Sequence, residues 1–139
     1  MATSQAIATQ AVSGEPVNLN QSLFLTPKQR TALAVEAMRG SGESAWKISL
    51  FFGFIALSPV EQHRWAVIAA ENGDPRAQYQ LYLDVADTDP ELDKMRGEFW
   101  LRRAAAAGEA NAQDDLKQLE QGRQKAEKRS AVDSTRGIK

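Results

Sequence analysis

The chain of 139 residues has no cysteine and one histidine, and none of its segments alternates apolar and β-branched residues with polar ones. Lacking cysteine, it has no disulfide staple, no thiol nucleophile and no zinc ribbon. The absence of strand patterning points to an all-α chain. Long apolar runs are missing too: the longest, Leu50 to Leu57, is far short of the ~20 residues that span a bilayer. Residues 1–27 contain no Lys or Arg, so they do not read as a secretory leader. The expected compartment is cytoplasmic as written, or periplasmic if Ala2 onward is the end left by removal of a leader. No phosphate-binding glycine loop, nucleophile elbow or metalloprotease motif occurs, and no enzyme or cofactor is expected.

The charges that are present are unevenly spread. The whole chain has a formal net charge of −1, so nothing global draws it to nucleic acid. Residues 122–139 carry six basic side chains against Glu127 and Asp133, leaving a net of −5 on residues 1–121. The first 25 residues hold one charged side chain, Glu15, among Ala, Ser, Thr, Gln and Asn. Both ends offer little apolar surface to offset the entropy of ordering. They read as flexible segments, 1–25 and 122–139, flanking a folded unit over 26–121.

Prolines and glycines punctuate that unit. Thr26-Pro27, Ser58-Pro59, Asp74-Pro75 and Asp89-Pro90 each put a capping side chain before a proline at the first helical position. Gly40, Gly73 and Gly108 follow alanine-rich stretches and suit the left-handed residue that closes a helix. Six helices are predicted, at about 27–39, 42–57, 59–72, 75–86, 90–107 and 109–121.

The three glycines also mark a repeat of 33 and then 35 residues. Aligned on them, Trp65 matches Trp100, Ala69-Ala70 matches Ala104-Ala105, Ala77 matches Ala112 and Leu81 matches Leu116. Helix pairs at such a period imply a short right-handed α-solenoid of about three units. Alanines on the first helix of each pair let the second approach, and a tryptophan fills the gap to the next pair. The run from Trp65 through Ala69-Ala70, Gly73, Ala77-Gln78 and Leu81 resembles the Sel-one-like repeat, a tetratricopeptide-related family often found in bacteria. Trp100 through Ala104-Ala105, Gly108, Ala112-Gln113 and Leu116 resembles it again. The resemblance implies an adaptor that holds another protein; a bacterial immunity protein occluding a secreted toxin is the narrower alternative.

Few side chains suggest chemistry. His63 has Pro59 and Val67 one turn away, which rules out a local ligand pair, and it reads as a surface histidine. Asp87, Asp89, Glu91, Asp93 and Glu98 fall at calcium-loop spacing, but Leu92 stands where the turn needs glycine, so they read as helix-start carboxylates. For a partner, a helical wheel with Trp65 and Ala69 inward turns His63, Val67 and Ala70 outward, with Glu98, Arg102 and Ala105 as equivalents. Glu98 and Arg102 also read as an ordinary ion pair. A second set, Trp46, Phe51, Phe52, Phe54 and Ile55, lies on a helix apolar all round. That helix is the centre of a small core, or is covered by the segment carrying Leu23, Phe24 and Leu25, or is a face offered to a partner or to a second copy through residues 46–57.

Overall fold

In the computed structural model, which describes residues 19–85 and 90–137, all regular structure is helical. The helices are α1 (Leu19–Leu23), α2 (Pro27–Met38), α3 (Gly42–Phe54), α4 (Pro59–Glu71), α5 (Pro75–Val85), α6 (Glu91–Ala106) and α7 (Ala110–Arg136). From α2 to α7 each helix packs on its neighbours in the chain, and α1 lies on α3. No helix among the described residues is long and apolar enough to cross a membrane.

The starts follow from local chemistry. Thr26 and Gln29 form a reciprocal capping box, Gln29 N–H to Thr26 Oγ1 at 3.2 Å and Thr26 N–H to Gln29 Oε1 at 2.8 Å. Asp74 accepts from the Arg76 and Ala77 N–H groups and pairs with the Arg76 guanidinium at 2.6 Å. Ser58, the third expected cap, makes no side-chain capping bond, although Pro59 does begin α4. Asp89 lies outside the described residues; Pro90 itself is the N-cap of α6, one place earlier in the helix than its spacing predicts.

Three helix ends share one construction. Gly40, Gly73 and Gly108 have φ of +108°, +93° and +92°. The N–H of each donates to the carbonyl three residues back, Ala37, Ala70 or Ala105. The next N–H, from Ser41, Asp74 or Glu109, reaches the carbonyl five back, on Glu36, Ala69 or Ala104. This double closure needs a left-handed residue, which glycine adopts without a Cβ clash. The residue after each glycine then caps the next helix: Ser41 accepts from Ser44 N–H and Glu109 from Ala112 N–H, as Asp74 does in α5. A further bond recurs: Gln78 Nε2 donates to Ala70 O and Gln113 Nε2 to Ala105 O, both at 3.1 Å. At the first turn, where Ala45 cannot donate, Asn72 Nδ2 reaches the corresponding Ala37 carbonyl at 2.9 Å.

Three expectations need correction. The helix predicted to end at 121 continues to Arg136, with every residue from Gly122 to Arg136 exposed. Its charge signals solvation, but Gln, Lys, Ala, Glu and Arg are also strong helix formers, and no proline interrupts them. A short helix, α1, lies within the segment read as a flexible N-terminal end. The helix predicted over 42–57 stops at Phe54, because Ser58 N–H turns back to Phe52 O at 2.8 Å and Leu57 takes a left-handed φ of 51°. A branched residue is strained there, and Leu57 is 74% exposed, so little packing depends on it. Leu57→Gly is expected to raise stability by about 0.5–1 kcal/mol, the relief exceeding glycine's unfolded-state entropy; an unchanged urea midpoint would show that no strain is held there.

The pairing of helices also differs from the reading by glycine turns. The most extensive packing joins α3 to α4 and α5 to α6, across the proline-led connections. Small residues at these crossings explain it. Ser49 donates to Gln62 O at 3.0 Å, Gly53 faces the Gln62 side chain, and Gly97 faces Val85 and Tyr82. The core is built mainly of alanine: Ala37, Ala45, Ala66, Ala69, Ala70 and Ala77 surround Leu81 and Trp100, and Leu101, Ala104, Ala105 and Ala112 continue it toward α7. Such a core holds by close backbone approach more than by large side chains.

Candidate functional site

The residues expected to face a partner fall into different environments. His63 on α4 is exposed, its Nδ1 3.5 Å from an Asp84 oxygen on α5. Val67 packs against the core, and Ala70 and Ala105, expected outward, are buried with their carbonyls engaged by the glutamines. The wheel fails there because α4 and α6 have neighbours on two sides, which covers more of each helix than a single apolar stripe.

Glu98 and Arg102 are held in a closed network. Arg123 of α7 grips both Glu98 oxygens, at 2.8 and 2.6 Å, and Arg102 reaches Glu98 Oε1 at 2.9 Å and Glu120 at 3.2 Å. Arg123 above all, with Arg102, holds the Glu98 carboxyl down to about 2 in spite of its partial burial. This network and the Tyr79 hydroxyl, donated to Asp115 at 2.8 Å, fasten α7 to the body. Burial, then Asp115, pushes Tyr79 up to about 12.

Because the Glu98 pKa falls on folding, its contribution is present above the unfolded value near 4.5 and is lost as the pH drops toward about 2. Glu98→Gln should therefore be less stable than the parent at neutral pH, with the gap closing across that acid window. Chemical denaturation at several pH values reads the gap, and a pH-independent difference would contradict the assignment.

The aromatic set on α3 divides. Phe51 is buried, edge-on to Phe24 at 6.3 Å and Phe52 at 5.3 Å, with the Arg30 guanidinium 4.5 Å from its ring centre. Expected as a partner contact, it is instead a core residue with the Phe24 ring against it. Trp46 is half-buried against the alanine core with Arg76 over it at 5.7 Å. Phe54 alone of the three is exposed, beside Phe24, Ile55 and Gln21.

A surface that the sequence reading passed over lies on α6. Leu92, Met95, Arg96, Phe99 and Arg103 recur at helical spacing along one exposed stripe, opposite the buried Gly97, Leu101 and Ala104. Leu92 and Met95 are 76% and 66% exposed, Phe99 40%. Phe99 meets Trp100 edge to face at 5.0 Å. The Arg96 guanidinium sits 4.3 Å from the Phe99 centroid and 4.8 Å from that of Trp100; Arg103 sits 5.5 and 5.6 Å away. Neither arginine meets a carboxylate among the described residues, in contrast to Arg102 one position before Arg103. The available signal was the spacing of Leu92, Met95 and Phe99, masked by the richer alanine face beside it.

Of the calcium-spaced carboxylates, Asp87 and Asp89 lie outside the described residues, and Glu98 is taken up by the two arginines. Comparison with protein-family models, with curated proteins and with solved structures finds no match to this chain.

Proposed function

We propose that this chain is a non-enzymatic protein-binding module, an adaptor of the Sel-one-like kind whose helix pairs stack as a short right-handed α-solenoid. The observation that carries the reading is the threefold recurrence of one turn: glycine closure, then a capping residue, at 40–41, 73–74 and 108–109. Chains built by repeating one supersecondary unit present extended surfaces made of equivalent helices, and such surfaces serve binding more than chemistry. The exposed α6 stripe, rich in arginine, methionine and phenylalanine, has the composition that marks protein interfaces.

The alternative, an immunity protein that blocks a basic toxin, draws on the net charge of −5 over residues 1–121. It requires binding that weakens steeply with salt. The test is affinity capture of the full chain from a lysate of its source organism, with identification of what is retained. The adaptor reading predicts a stoichiometric protein partner that reconstitutes from purified components. Catalytic turnover by the purified chain, or capture of no protein at all, would contradict it; a secreted toxin as partner would select the alternative.

A further inference from the structure

The geometry points to the α6 stripe as a docking site for an acidic peptide segment, one with carboxylates flanking an apolar side chain. This rests on the protein-binding reading and names the chemistry of the partner. Two guanidiniums are fixed over the same aromatic pair, both within 5.5 Å of the Phe99 centroid, and neither has a carboxylate among the described residues. Stacking a guanidinium by its face leaves its edge N–H groups free to take a carboxylate in a two-pronged bond. The rings hold the arginines in place beforehand, which lowers the entropy lost on binding. Between and beside them, exposed Met95, Leu92 and Phe99 supply apolar contact.

The neighbouring arginines show what is missing. Arg102 and Arg123 are each matched to Glu98, and Arg76 to Asp74. Arg96 and Arg103 are matched to rings and to no carboxylate among the described residues, which leaves their N–H edges open to an acidic group. Nucleic acid fits the stripe less well than a peptide: exposed Leu92, Met95 and Phe99 offer contact to an apolar side chain, and two guanidiniums are few for a phosphate backbone.

The test is selection of random twelve-residue peptides displayed on phage against the full chain, followed by affinity measurement of the selected peptides. Selected sequences should carry at least two Asp or Glu around a Leu, Phe or Met. Their affinity should fall at least tenfold for R96Q/R103Q, further for R96E/R103E, and stay unchanged for K125E/K128E, the exposed control on α7. Circular dichroism checks folding, and the glutamine variant keeps length and neutral packing should charge reversal disturb the helix. Peptides lacking acidic residues, or acidic peptides that bind the arginine variants equally, overturn the proposal but leave the adaptor reading standing. Self-association of the parent that R96Q/R103Q abolishes would assign the stripe to a second copy and overturn it likewise. A selection that yields nothing, joined to an empty affinity capture, defeats both readings.

Discussion

Replacing Leu101 with alanine is expected to lower the stability of the fold by about 3 kcal/mol, within the range for a fully buried leucine. Leu101 has no exposed surface, and with Ile48 and Ser49 it heads the fully buried side chains by size. Its surroundings are Ala104, Ala105 and Ala112, with Tyr79, Tyr82, Leu116 and Leu119 packed outside them. Alanines have no side-chain length with which to refill a hole, so the vacated volume stays open and the full cavity cost is felt. Both tyrosines lie on α5 and both leucines on α7, so the hole opens where three helices meet. Urea denaturation followed by far-ultraviolet circular dichroism measures the loss. A loss below about 1 kcal/mol would mean that the helices collapse onto the gap, against a core set by backbone approach.

Gly42→Ala should cost about 2 kcal/mol by overpacking. A Cβ at this position would stand 3.0 Å from Asp74 N, 3.1 Å from Ala69 O and 3.2 Å from Asn72 O. All three are backbone atoms of the Gly73 turn, which the double closure already fixes, so no side chain can swing aside. The first residue of α3 is thus pressed against the turn between α4 and α5. Gly53 differs: the atoms a Cβ would meet there belong to the Gln62 side chain, whose end can move. If Gly42→Ala matched the parent in denaturant midpoint, the close approach of these two turns would not be a source of order.

The proline starts and glycine stops were legible in the sequence because each rests on a strictly local requirement. Thr26 and Gln29 need only each other to form a capping box, and Gly73 needs only a left-handed turn. Features without so simple a local rule were legible only in part. Leu57 gives no sign of its left-handed φ, since any exposed residue forced into the turn can occupy it at a cost. The run after Gly122 was weighed by charge, which reports solvation and says little about helicity. Val67 and Ala70 were turned outward by a wheel that assumed one packed face, whereas α4 packs on both α3 and α5. Phe51 resolved into core through Phe24, a residue far from it in the chain. At the candidate surface, Glu98 and Arg102 looked like a free ion pair because the sequence does not reveal that Arg123 comes back to them. Arg96 and Arg103 stand out only once the carboxylates have been assigned to other partners.

The role proposed for this all-α chain is to hold an acidic protein segment against α6. Its most direct test places a photo-crosslinking amino acid at Phe99, and in a parallel sample at exposed Asp114 on α7, in the source organism. One crosslinked protein is expected from position 99 and none from 114, with the joined peptide of the partner rich in Asp and Glu. Crosslinks to the same protein from both positions, or to a basic or nucleic-acid target from position 99, would contradict it.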